Sequence, residues 1–165
     1  MGTLADGRNQ TRAPGVSIVL WRVCAGRFTQ LKEGTMADHP NAGAFRKGYA
    51  AFQTGDLDTV RALFAPDIVW NVSGKNRLAG THRGVDNVLA LLLQQLQETD
   101  GTFKVEVHDI LANDEHAVAL ATLSGTRDGK TLKDRYVHSA HLKDGIISES
   151  WIFGEHQDEE DAFWG

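Results

Sequence analysis

The amino-acid sequence predicts an α+β domain in which helices come first and strands follow. Three observations carry that expectation. Apolar residues recur at helical spacing from Pro40 to Phe64 and again after Gly84, strict alternation replaces that period after Gly101, and short polar turns containing Asp-Gly punctuate the alternating part. Helices followed by antiparallel hairpins bury one face of a sheet under the helices.

Phe45, Tyr49 and Phe52 mark the first helix, which opens at Pro40 and stops at Gly55. Asp56 caps a second helix, Leu57 to Phe64, that carries Leu57, Val60, Leu63 and Phe64 and ends before Pro66. "DIVWNVS", Asp67 to Ser73, alternates as a strand, and "GKNRLAGTHRG" reads as a polar loop. The third helix runs from Val85 to about Thr99, with Asp86 in the first turn, where the helix dipole favours an acid. Strands follow to the end: Phe103 to Asp109, Ala117 to Thr126, Thr131 to Leu142, and Ile146 to Phe153, joined by "NDEH", "RDGK" and "KDG".

Composition narrows the function classes. A chain of 165 residues with 41% hydrophobic and 24% charged residues is sized for one core. Its net charge of -5 and lack of a basic run argue against a nucleic-acid partner. Cys24 is the sole cysteine, so neither an internal disulfide nor a cysteine-based zinc site is expected, and a reducing, cytoplasmic setting fits. No apolar run approaches the ~20 residues that span a bilayer, so no membrane partner is expected. Residues 1–35 hold five basic and two acidic residues, +3 against -8 for the remainder. Met36 then reads as a fresh start, which predicts an N-terminal extension at 1–35, a loose arm or the product of an upstream start, and a single domain at 36–165.

"AAFQTGDLDTVRALFAPDIVW", "LAGTHRGVDNVLALL", the paired hairpins and "DGIISESWIF" followed by a terminal "FWG" resemble the superfamily that includes nuclear transport factor 2, ketosteroid isomerase and the SnoaL-like polyketide cyclases. The likeness spans about Ala42 to Gly165. It implies a cone-shaped α+β barrel, three N-terminal helices packed on a curved, mostly antiparallel sheet, with a ligand cavity inside and a homodimer formed through the sheet.

The stretch "LKDRYVHSAHL" places Asp134, Tyr136 and His138 on one strand face between Leu132 and Leu142. With Asp144-Gly145 as a two-residue turn, His138 pairs with Trp151, Tyr136 with Phe153 and Asp134 with Glu155, and that face of the last strand also carries Glu149. The "RDGK" turn sets Ala119 opposite His138 and Ala121 opposite Tyr136. Large apolar groups with a few placed polar ones form a pocket wall, which Trp70, Phe52 and Tyr49 are expected to complete. Buried polar side chains that merely satisfy one another are the bland alternative.

A neutral imidazole can exchange protons near physiological pH, so His138 is the expected acid/base, oriented by Asp134 or Glu149, with Tyr136 as hydrogen-bond donor to a developing enolate. The cyclase likeness implies an acid shortly after the last-strand tryptophan, a position held by Glu155, whose pKa burial would raise. The likeness to ketosteroid isomerase fails at its catalytic positions: aligned on "GDLD", its base falls at Val72 and its tyrosine at Gly48. The expected function is therefore a cofactor-independent isomerase, cyclase or lyase acting on a hydrophobic carbonyl compound, without a metal. A non-catalytic ligand-binding or assembly domain is the competing expectation.

Overall fold

The computed structural model describes residues 39–165, so the expected extension at 1–35 lies outside the described residues. Ten elements follow in order: α1 (Pro40–Thr54), α2 (Leu57–Ala62), β1 (Phe64–Val72), β2 (Gly80–Arg83), α3 (Val85–Glu98), β3 (Lys104–Ala112), β4 (His116–Arg127), β5 (Lys130–Lys143), β6 (Ile146–Gly154) and α4 (Gln157–Trp164). The His39 ring accepts the Asn41 amide at 3.1 Å ahead of α1, and the Asp56 carboxylate accepts the Thr59 amide at 3.0 Å at the start of α2. Both bonds occupy amide donors that a helix start leaves free.

The six strands form one sheet in the order β2-β1-β6-β5-β4-β3. This overturns the expected barrel. β2 and β3 stand at opposite edges with no pairing between them, so among the described residues the sheet is open. It is also mixed, since β1 runs parallel to β6 while the other pairs are antiparallel. The helices are not all N-terminal, because α4 closes the chain after the last strand. Two local readings change as well: the polar loop after the first strand contains β2, and the second helix stops at Ala62, so that Phe64 opens β1 rather than ending that helix.

Phe45 and Phe52 of α1 and Val88, Leu89, Leu91 and Leu92 of α3 are buried with the apolar face of the sheet. On β5 all six even positions from Leu132 to Leu142 are buried, and the odd positions between them are exposed or half-buried. Ala119 and Ala121 of β4 lie opposite His138 and Tyr136 as the turn predicts. No helix among the described residues is long and apolar enough to cross a membrane.

The β5–β6 hairpin departs from the expected register for one reason. Asp144 (φ 51°) and Gly145 (φ 80°) form the two-residue turn, and Lys143 pairs with Ile146 and Leu142 with Ile147 as the turn requires. A bulge then intervenes, so that His141 pairs with Glu149, His138 with Ile152 and Tyr136 with Gly154. One inserted residue reverses every side chain beyond it. Ser150, Ile152 and Gly154 consequently take the inner face, while Glu149, Trp151 and Phe153 turn outward.

Candidate functional site

Between the inner face of the sheet and the helices lies a cavity of about 110 Å³. Phe45 and Phe52 of α1, Trp70 of β1, Phe103, Leu123 of β4 and Trp164 of α4 are among the residues of its apolar wall. Tyr49, Tyr136, His138 and Glu160 supply its polar groups, with Asn76 and Gln95 beside them. An apolar cavity of about 150 Å³ holds benzene, so this smaller one admits at most a compact single ring.

Three of these polar side chains form a chain of hydrogen bonds that ends on a fourth. The Tyr136 hydroxyl donates to that of Tyr49 at 3.0 Å, the Tyr49 oxygen lies 2.8 Å from His138 Nδ1, and His138 Nε2 lies 3.0 Å from Ser150 Oγ. With Tyr136 donating, Tyr49 must donate to Nδ1, which leaves the proton on Nε2 to be given to Ser150. Phe45 and Trp70 pack against the imidazole, with ring centroids 4.7 and 4.9 Å away. Burial pushes His138 down to about 3 and pushes both tyrosines up. A ring held neutral at physiological pH, with both nitrogens engaged, is not the proton-exchanging group that the sequence suggests.

The ionisable group in the cavity with an incomplete shell is Glu160, which the sequence reading passed over. Its Oε1 is the one buried side-chain polar atom among the described residues without a hydrogen-bond partner. Burial first, then the charge of Asp134 and a hydrogen bond with it, push Glu160 up to about 7. Asp134 is buried beside it and accepts from the His156 amide at 3.0 Å and from His156 Nδ1 at 2.7 Å. Burial pushes Asp134 up, but those bonds and one from the Arg135 amide outweigh it, and the carboxyl stays below its ordinary value. One carboxyl is thus held ionised and its neighbour protonated.

Gly154 makes this pairing possible. A Cβ there would run into Glu160 Oε1 and reach 3.0 Å from Asp134 Oδ2. Gly154→Ala is expected to cost about 1–3 kcal/mol by overpacking and to separate the two carboxyls, checked by thermal unfolding and by the Glu160 carboxyl titration.

The remaining expected site residues fall on the other face of the sheet. Glu149 turns toward His141, 3.8 Å from its Nδ1, and Trp151 packs on the same ring with centroids 4.9 Å apart. Phe153 is exposed. Glu155 is clasped by Arg135, with Oε2 2.6 Å from Nε, and that bond holds its carboxyl below the ordinary value, opposite to the rise expected. These four corrections share the bulge as their cause, whereas Tyr49, Phe52, Trp70, Tyr136 and His138 do line the cavity. Asp134, Glu155 and His156 bring ligand-type atoms within 4.8 Å of one another. Each already bonds to a protein partner, so the cluster reads as an ion-pair network.

The profile of the SnoaL-like domain matches residues 45–150. A curated, uncharacterized protein of Mycobacterium tuberculosis is 36% identical over 130 residues, covering 78% of this chain and 99% of that one. Among solved structures, Bal32a from a soil-derived mobile gene cassette is 30% identical with a TM-score of 0.75, covering 79% of this chain and all of that one. TerC, co-crystallized with polyporic acid, is 21% identical with a TM-score of 0.67 over 77% of this chain and 100% of its own, a likeness of fold alone.

Proposed function

This chain belongs to the SnoaL-like family, and from that premise we propose that its cavity takes a compact hydrophobic carbonyl compound on which Glu160 moves a proton without a cofactor. The observation that carries this reading is the buried Glu160 carboxyl in an aromatic cavity, whose Oε1 has no hydrogen-bond partner. A carboxyl pushed up to about 7 is populated as both acid and base near neutral pH, the condition for efficient general acid/base work. In its base form it takes a proton from the carbon next to the carbonyl. In its acid form it returns the proton to a second carbon, or protonates a leaving group, which covers isomerisation, ring closure and elimination.

Tyr136 is the donor for the enolate oxygen that forms. Its proton points at Tyr49 in the unliganded chain, but every member of the Tyr136–Tyr49–His138–Ser150 series both donates and accepts. The series can therefore run in reverse, shifting His138 to its other tautomer and freeing the Tyr136 proton for a ligand oxygen. His138 acts here as a neutral bridge.

The test is exchange of the protons next to the carbonyl of cyclohexanone in D2O, followed by NMR. The wild-type protein is expected to accelerate exchange over buffer, and Glu160→Gln is expected to abolish the effect. Retained ketone binding with no acceleration would favour the binding-only alternative.

The partner expected at the sheet is a second copy of this chain. Leu120, Val137 and Phe153, exposed at 41%, 37% and 49%, lie in register across β4, β5 and β6 on the outer face, an apolar row suited to burial. Phe153→Glu should turn a dimer into a folded monomer in light-scattering measurements. A monomeric wild-type protein would end this part of the reading.

A further inference from the structure

We propose that Asp134 and His156 form, with Glu160, a proton path joining the cavity to solvent, with His156 as the group through which the cavity acid is recharged; the proposal rests on the reading of Glu160 above.

Geometry supplies the three steps. The His156 side chain is 55% exposed, whereas that of Asp134 is fully buried. His156 Nδ1 lies 2.7 Å from Asp134 Oδ1. Asp134 Oδ2 and Glu160 Oε1 meet beside Gly154, both within contact of the space a Cβ would fill there, and Glu160 lines the cavity. The backbone holds the ends together, because the Glu160 amide donates to the His156 carbonyl at 3.2 Å, one helical turn apart.

The series that starts at Tyr136 ends on Ser150, which is completely buried. Glu160 lies beside Asp134, whose partner His156 is half exposed. A proton that Glu160 has taken from a ligand carbon passes to an Asp134 oxygen as the Glu160 O–H bond breaks. Asp134 gives that proton up to the bare Nδ1 of a neutral His156 whose hydrogen is on Nε2, which restores an ionised Asp134 bonded to Nδ1–H, and the imidazolium so formed releases its Nε2 proton to water. One proton leaves and no electrons are exchanged; the reverse sequence recharges the acid.

Both ends are pushed upward by their surroundings: the bond to Asp134 holds His156 above its ordinary value, and burial with the charge of Asp134 pushes Glu160 up to about 7. Other titratable groups face these three: Tyr136 from β5, Glu159 and Asp161 from α4 itself, and Glu155, whose Oε2 lies 3.9 Å from His156 Nδ1 and which Arg135 clasps. Arg127 and Lys130 bond the Phe163 and Ala162 carbonyls at the far end of α4. Asp161 is tied to the Lys75 and Asn76 amides.

The test is a carbon-13 NMR titration of the Glu160 carboxyl in the wild-type protein and in His156→Gln and Asp134→Asn. His156 is half exposed, so its variant folds, as an amide fingerprint will show. Removing the cationic partner should raise the Glu160 midpoint by about one pH unit or more, and Asp134→Asn should lower it while bringing the His156 midpoint down. An unchanged or lowered Glu160 midpoint in folded His156→Gln overturns the path. That result would leave the acid/base role of Glu160 standing, since the role falls only if Glu160→Gln still exchanges ketone protons.

Discussion

Replacing Glu160 by glutamine is expected to lower proton transfer in the cavity by roughly 10²–10⁴-fold while making the protein more stable above pH 7. The second effect follows from the carboxyl being pushed from 4.5 up to about 7 by burial and by Asp134. Below pH 4.5 the group is protonated in both folded and unfolded chains and adds nothing to the pH dependence. As pH rises, the unfolded chain loses its proton while the folded chain keeps it, so the wild-type protein loses stability until about pH 7. Beyond that point the folded carboxyl ionises too, and the loss levels off at about 3 kcal/mol, since one pKa unit corresponds to ~1.4 kcal/mol. Glutamine keeps the shape and does not titrate. The stability gap between variant and wild type, measured by urea unfolding, should therefore widen through this window and stay constant above it. A gap that does not change with pH would show that the carboxyl is not held protonated by the fold.

Acid should act in the opposite sense through His138. Burial among Phe45, Trp70 and Tyr49 pushes the imidazole down to about 3 from 6.5. Above pH 6.5 the ring is neutral in both states. Below it the unfolded chain takes up a proton that the folded chain refuses, and stability falls until about pH 3, by roughly 4–5 kcal/mol in all. Between pH 4.5 and 6.5 this loss runs against the gain from Glu160, so the two nearly cancel and the steep decline begins below pH 4.5. His138→Gln should start from a lower stability because the aromatic packing is disturbed, yet decline less in acid. Equal acid slopes in wild type and variant would show that the buried imidazole does not control acid unfolding.

Much of the fold was legible because alternation and turn chemistry are local. β5 could be assigned to a buried inner face from Leu132, Tyr136 and Leu142 alone, and the Asp144-Gly145 turn fixed the first two pairs of the last hairpin. The bulge was not legible, because an inserted residue changes pairing without changing composition. One signal was present: the expected register buried Glu149 beside Trp151, whereas the actual one sends that charge to solvent and brings Ser150 under His138. α4 was hidden in a run of acids that reads as a solvated tail. Glu160, Phe163 and Trp164 nevertheless fall three and four residues apart, and they are the buried residues of that helix. Closure into a barrel came from family likeness, and strand order is a long-range property that alternation does not encode.

An open sheet leaves two rows of backbone groups on which strands of other molecules could add. β2 limits the hazard at its edge by being only four residues long. β3, at nine residues, is the more dangerous template, and it is guarded by other means. The exposed Lys104 and Glu106 place opposite charges along it, and the register slips between Val107 and Asp109, which breaks the run of pairable groups. Gln53 of α1 also donates its side-chain amide to the Val105 carbonyl at 3.0 Å, occupying an acceptor that an incoming strand would need. Among the described residues the sheet thus stays unclosed beside its cavity, while both edges carry features that oppose edge-to-edge pairing.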